Sequence, residues 1–233
     1  MLFDPFYWLV FAVGMVLSLW ASSRVKGTFA RWSEVRSRSG FNGAQVARAI
    51  LQANDIHDVT VEPVQGQLTD HYDPSSKTLR LSEPVYHSDS VAALGVAAHE
   101  VGHAIQHAHR YGPLQFRSAW VPIAGFGSGL GGILMMIGLV LAYGGGSATI
   151  AWVGLPLFAA TTVFTPVTPP GGFDASKRAL VTLQQSGVLA ADELGGAKKV
   201  LDAAALTYVA AAAASLMQLL YWAMHILGAQ SRE

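Results

Sequence analysis

Apolar and polar stretches alternate along the chain, and the apolar ones predict four membrane-spanning helices. Each has close to the ~20 residues that a helix needs to cross a bilayer. The four predicted spans cover residues 5–22, 119–143, 148–164 and 203–228. Polar stretches at residues 24–118 and 165–202 separate them. The pattern predicts a mainly α-helical integral membrane protein with a small α+β domain outside the bilayer.

Shorter patterns within residues 24–118 predict the elements of this domain. The spacing of apolar residues indicates a helix over residues 43–54. Alternating residues indicate three short strands at residues 59–64, 68–73 and 78–82, the last two joined by a turn. Such a hairpin is either purely structural or binds an extended peptide along an edge strand. In the second case we expect residues 78–82 to be the edge strand that binds the peptide.

A helix is predicted over residues 90–111, directly after the hairpin. Serine and aspartate at residues 88–90 offer N-cap oxygens, and the glycine and proline at residues 112–113 supply a stop. Alanines fill the body of the stretch, which further favours a helix.

This helix carries the most specific motif of the chain. Residues 99–103 read His-Glu-Val-Gly-His, an H-E-x-x-H pattern. Positions i and i+4 share one face of a helix, so that His99 and His103 can hold one Zn²⁺ ion. Glu100 can then take a proton from a metal-bound water. Histidine pairs without a metal are also common on helices, but a glutamate in this fixed place within an apolar helix favours the zinc site.

Two further histidines follow the motif. His107 continues the four-residue spacing, but it lies about 12 Å along the axis from His99, too far to share one ion with it. The metzincin arrangement, with a third histidine six residues after the second, is absent. We therefore expect His107 and His109 to be structural or to support the ligands.

The composition agrees with a membrane protein. Hydrophobic residues make up 52% of the chain, charged residues only 13%, and the mean hydropathy is +0.36. A formal net charge of +0 gives no reason to expect a nucleic-acid partner. The absence of cysteine excludes disulfides and thiolate metal sites.

The distribution of Lys and Arg predicts the orientation in the membrane. The first apolar run is preceded by Asp4 and followed by basic residues, the reverse of the order in a signal peptide. Of the Lys and Arg residues near the ends of the predicted spans, eleven fall on one side of the membrane and only Arg232 falls on the other. These eleven are Arg24, Lys26, Arg31, Arg36, Arg38, Arg110, Arg117, Lys177, Arg178, Lys198 and Lys199. Because Lys and Arg mark the cytoplasmic face, we expect residues 24–118 and 165–202 to meet in the cytoplasm beneath the cell membrane.

Five stretches resemble the bacterial YugP-type membrane zinc metallopeptidases. They are residues 68–74 (LTDHYDP), 90–93 (SVAA), 99–107 (HEVGHAIQH), 173–180 (FDASKRAL) and 203–211 (AAALTYVAA). The resemblance covers nearly the whole chain in order. It implies a gluzincin-like zinc site, in which a glutamate on a later helix joins the two histidines of H-E-x-x-H. In the family this glutamate directly precedes Phe-Asp-Ala-Ser.

The chain departs from the family at this point. The family reads Leu-Pro-Val-Glu before the Phe-Asp-Ala-Ser motif, and residues 169–172 here read Pro-Pro-Gly-Gly. Gly172 therefore stands where the resemblance implies the third ligand, and the run disfavours a helix that begins so early. Asp174 is the nearest substitute and is taken as the third metal ligand; Glu62, Glu83 and Glu193 are more distant options.

The sequence thus predicts a membrane-bound zinc metallopeptidase with His99, His103 and Asp174 as ligands and Glu100 as general base. Its expected partners are the lipid bilayer and protein or peptide substrates, membrane proteins included. An inactive, protease-like membrane scaffold is the first alternative, because Gly172 weakens the zinc site. A four-span helical protein whose histidines only pack or bind metal is the second.

Overall fold

The computed structural model describes residues 4–164 and 168–230, and the fold is mainly α-helical, which confirms the prediction for its class. The helices of the described residues are α1 Pro5–Ser33, α2 Gly43–Ala53, α3 Glu83–Tyr86, α4 Val91–Ala108, α5 Gly112–Tyr143, α6 Thr149–Phe164, α7 Thr168–Gln185 and α8 Ala191–Gln230. The strands are β1 Thr60–Val64, β2 His71–Asp73 and β3 Thr78–Ser82.

The chain divides into two compact units. Among the described residues, the first comprises residues 4–20, 116–164, 168–169 and 207–230, and the second comprises residues 21–115 and 170–206. The sheet and helices α2, α3 and α4 belong to the second unit.

Three helices of the described residues are long and apolar enough to cross a membrane. They are α1, the segment Gly125–Tyr143 of α5, and α8. Few residues of their most apolar segments are buried, 6% in α1 and 22% in each of the other two, as expected for surfaces that face lipid. The remaining predicted span corresponds to α6, which has 16 residues and is shorter than the other three. A fourth crossing of the membrane stays a prediction.

The sheet has the strand order β1-β3-β2. β3 pairs in parallel with β1 and antiparallel with β2. The prediction that residues 78–82 form an edge strand is therefore wrong, since both sides of β3 are paired. Leu79 and Leu81 of β3 are completely buried, and a strand with apolar side chains of this kind is most stable in the centre of a sheet.

The strand predicted over residues 68–73 begins only at His71. Leu68 has a φ of 57°, a left-handed conformation that cannot continue a strand. Asp70 then turns inward, where its carboxylate accepts hydrogen bonds from the backbone N–H and the hydroxyl of Ser82 at the end of β3. This bond fixes where β2 meets the sheet.

Helix α4 passes through the core of the second unit. Val46 and Ile50 of α2, Leu79 and Leu81 of β3, and Leu94 of α4 are all buried in one apolar cluster. The cluster holds α4 in one position, because each of these side chains loses water contact only when the helices and sheet pack together. The H-E-x-x-H residues are thus carried by a fixed element.

At the two ends of α4, the predicted N-cap is present but the predicted stop is not. The Ser90 hydroxyl accepts a hydrogen bond from the backbone N–H of Ala93 at 3.2 Å, as an N-cap does. The helix ends at Ala108, three residues before the predicted end, because Arg110 has a φ of 51°. Gly112 is the first residue of α5 and does not serve as the stop for α4.

Helix α7 includes the Pro-Pro-Gly-Gly run, so the prediction that residues 169–172 disfavour an early helix start is wrong. The helix begins at Thr168, and both prolines lie in its first turn. Backbone N–H groups of a first turn have no partner within the helix, so proline loses no hydrogen bond there.

Candidate metal centre

The imidazoles of His99 and His103 lie side by side on α4. Their ring centroids are 4.9 Å apart, and their planes are nearly perpendicular. Burial, together with the neighbouring His103, lowers the pKa of His99 to about 3. His99 is therefore neutral at physiological pH, which is the form in which imidazole binds a metal.

A residue of α7 holds His99. The hydroxyl Oγ of Ser176 lies 3.0 Å from Nδ1 of His99. If Nδ1 carries the proton and donates it to this hydroxyl, Nε2 has the lone pair that a metal needs. Ser176 is part of the Phe-Asp-Ala-Ser stretch, but sequence reasoning gave it no role.

A residue of α4 itself holds His103. Oε1 of Gln106 lies 2.9 Å from Nδ1 of His103. The amide of the completely buried Gln106 is oriented by two acceptors, since Nε2 donates at 2.8 Å to the carbonyl oxygen of Gly171 and at 2.8 Å to Oδ2 of Asp174. Its Oε1 therefore faces His103 and accepts a hydrogen bond from Nδ1, so the proton of His103 lies on Nδ1 and the lone pair on Nε2. Gln106 was also missed in the sequence, where a glutamine three residues after a histidine is not distinctive.

Asp174 is the far end of this chain of hydrogen bonds. Its Oδ2 also accepts a hydrogen bond from Nε of Arg178 at 2.6 Å. Burial opposes ionisation, but the bonds from Arg178 and Gln106 outweigh it and lower the pKa of Asp174. The charged carboxylate thus faces Arg178 and Gln106, and this arrangement suits a residue that orients the Gln106 amide.

Glu100 follows His99 on α4 and is buried, with 8% of its surface exposed. A buried glutamate is rare in proteins without a charged or metal partner. Its place between the two histidines in the sequence is that of the base in an H-E-x-x-H site.

On α7, small residues occupy positions 172, 175 and 176, around the contact with His99. Ser176 contacts His99, and a Cβ at Gly102 of α4 would lie 2.6 Å from the carbonyl oxygen of Ala175. Gly172 is buried one helical turn before Ser176, so it lies on the same face of α7, opposite the histidines. No acid projects from this face at position 172, 175 or 176.

Among the described residues, the site thus brings two imidazoles together but adds no third candidate ligand. Across residues 4–164 and 168–230, no three His, Cys, Asp or Glu side chains form a group that could hold a metal ion. The predicted grouping of Asp174 with the histidines is not seen there. The two imidazoles fit zinc in donor type and in hydrogen bonding, but they do not complete the usual set of three protein ligands.

The more distant acids and histidines have other contacts. The carboxylate of Glu193 accepts hydrogen bonds from the backbone N–H groups of Arg38 and Ala190, and Glu62 lies 3.9 Å from Arg80. Nδ1 of His107 lies 2.8 Å from the hydroxyl of Tyr72, on the neighbouring strand β2. Burial raises the pKa of Tyr72 to about 12, so this hydroxyl stays protonated.

Comparison with known proteins places the chain in a family. A family model described as "putative neutral zinc metallopeptidase" matches residues 7–227. The chain belongs to this metallopeptidase family. Within it, the chain is similar to the "Putative membrane protease YugP" of Bacillus subtilis (strain 168), with 46% identity over 211 residues. The match covers 91% of this chain and 92% of that relative, and no solved structure matches the chain.

Proposed function

We propose that this member of the metallopeptidase family is a membrane-bound zinc peptidase whose site is built on α4. The proposal is carried by one observation, the pair of adjacent imidazoles whose Nδ1 atoms lie against Ser176 and Gln106. His99 and His103 would hold Zn²⁺ through Nε2. Family membership and the three long apolar helices support the zinc and membrane parts of this proposal.

Glu100 is the general base in this proposal. Bound zinc would acidify water and polarise the carbonyl of the scissile peptide bond. Glu100 would accept the proton of the attacking water and pass it to the leaving amine, a role that requires a carboxylate beside the ligands but not on the metal.

The substrate would be a protein or peptide in extended form, membrane proteins included. Because β3 is central, such a chain would pair with β1 or β2, the outer strands of the described sheet. β2 is the better candidate, since Tyr72 joins it to His107 of α4.

The site would face the cytoplasm of a multi-pass protein of the cell membrane. The excess of Lys and Arg in residues 24–118 and 165–202 supports this orientation. Four crossings, with α6 as the short one, would return the chain to the cytoplasm before α7.

The small residues of α7 favour a second candidate function. With glycine at position 172 and Asp174 bonded to Arg178, the protein would bind zinc weakly and act as an inactive scaffold for membrane proteins or peptides. In a third reading the histidines serve only in metal binding or packing, and Glu100 has no catalytic role.

Zinc content and hydrolysis of an unfolded protein substrate separate these candidates. We expect purified full-length protein to contain zinc, and His99→Ala or His103→Ala to lose it. His109→Ala is the matched control, because this exposed histidine lies just after the same helix. Glu100→Gln is expected to keep the zinc and lose hydrolysis. Zinc without hydrolysis in the unaltered protein would favour the scaffold, and no difference between His99→Ala and His109→Ala would overturn the zinc site.

A further inference from the structure

A groove separate from the histidines lies between α1 and α8 in the second unit. Its volume is about 670 Å³. The side chains that decide its chemistry are Arg24, Arg31 and Trp32 of α1 and Lys199 of α8. Ser23 and Thr28 add hydroxyl groups to the lining, which can donate hydrogen bonds to an anion.

The groove is positively charged. Within the described part of the chain, Arg24, Arg31 and Lys199 have no carboxylate within ion-pair distance. Asp202 is the one acid of the lining, and Lys198 neutralises it through an ion pair at 2.6 Å. Three cations thus surround the space, and an anion placed there would gain from all of them.

Trp32 forms a fixed wall of the groove. A side chain at Gly196 would overlap the indole ring, so this glycine lets Trp32 lie directly against α8. The guanidinium of Arg31 lies 6.0 Å from the ring centroid, and Nζ of Lys199 lies 5.6 Å from it. The ring therefore holds two of the three cations at the same end of the groove by cation–π attraction.

The groove lies where both helices change from polar to apolar sequence. In α1 the apolar residues 5–22 end just before Arg24, and in α8 the apolar residues 203–228 begin just after Lys199. At such a boundary a helix enters the bilayer, and tryptophan and basic side chains lie at the level of the lipid head groups.

We propose that this groove binds the phosphate of an anionic phospholipid head group. Arg24, Arg31 and Lys199 would surround the phosphate oxygens, and Ser23 or Thr28 would donate further hydrogen bonds. The lipid is favoured over a free phosphate because both helices become apolar in sequence beside the groove, at residues 5–22 of α1 and 203–228 of α8, where a bilayer and its acyl chains are expected.

The test uses the full-length protein in detergent, with bound lipid measured by native mass spectrometry during titration with phosphatidylglycerol or phosphatidylcholine. We expect preferential binding of phosphatidylglycerol. Arg24→Gln, Arg31→Gln and Lys199→Gln should each weaken it about fivefold. Lys26→Gln is the matched control, because this exposed lysine lies on α1 outside the groove and should change binding less than twofold.

Three results would overturn the proposal. Equal binding of the two lipids would show that the charges of the groove are not used. An equal loss in Lys26→Gln would show attraction to diffuse surface charge. In a separate arm, inorganic phosphate that binds as tightly as phosphatidylglycerol and depends on the same three residues would make this a free-phosphate site.

Discussion

The hydroxyl of Ser176 lies 3.0 Å from Nδ1 of His99, although the two residues are 77 positions apart. This contact joins the Phe-Asp-Ala-Ser stretch on α7 to the H-E-x-x-H motif on α4. It brings the two motifs together, and the serine holds the ring that is expected to bind zinc.

Replacement of this serine tests its role in orienting His99. We expect Ser176→Ala to weaken zinc binding roughly 10- to 100-fold, because the imidazole loses the partner of Nδ1. The affinity is measured by competition with a chelator. Ser176→Thr, which keeps the hydroxyl, should recover part of the loss, and Ser186→Ala, an exposed serine after α7, serves as the control. Unchanged affinity in Ser176→Ala would exclude a role of this contact in metal binding.

Position 172 tests the missing third ligand. A glutamate at position 172 would lie on the same face of α7 as Ser176, which contacts His99. Gly172→Glu should therefore raise the zinc affinity by about tenfold or more and also raise the rate of hydrolysis. Gly171→Glu places the same charge one residue away, where a Cβ meets no atom within 4 Å, and should not tighten zinc. Equal effects of the two variants would contradict our placement of residue 172.

Asp174 is either a zinc ligand or a residue that orients Gln106. If Asp174 only orients Gln106, its effect disappears once Gln106 is replaced. The double variant Asp174→Ala/Gln106→Leu should then bind zinc as tightly as the single variant Gln106→Leu. Chelator competition on the two single variants and the double variant measures this. A ligand role predicts instead that Asp174→Ala causes a further loss in the double variant.

Gly102 controls the distance between α4 and α7. A methyl group there would lie 2.6 Å from the carbonyl oxygen of Ala175, a backbone atom that can move only with the helix. We expect Gly102→Ala to lower the free energy of unfolding by about 1–3 kcal/mol. Gly171→Ala, which meets no neighbouring atom, is the control in a thermal unfolding experiment. Equal stability of both variants would show that the two helices can separate at no cost.

The predicted orientation can be tested with single cysteines, because the chain contains none. Ser75→Cys lies in the exposed turn between β2 and β3 and should react with an impermeant thiol reagent only after cell lysis. Ser147→Cys, between α5 and α6, should react in intact cells. The opposite pattern would place the histidines outside the cell.

The site itself was only partly predictable from sequence. His99, Glu100 and His103 follow one another on a single helix, so local periodicity suffices to place them together. Ser176 and Gln106 were missed because serine and glutamine acquire their roles only from what they face. Asp174 was chosen for its nearness in the chain, but the direction of its side chain depends on Arg178 and Gln106.

The sequence by itself determined the mainly helical fold and the long apolar helices, because helix periodicity and the cost of placing polar residues in lipid act over short stretches of chain. Only the tertiary structure decided that β3 is central, that α7 includes the Pro-Pro-Gly-Gly run, and that Ser176 contacts His99. These features depend on which elements pack together. Contacts between residues as far apart as Gly102 and Ala175 have no local signal, since their energy arises only when the chain has folded.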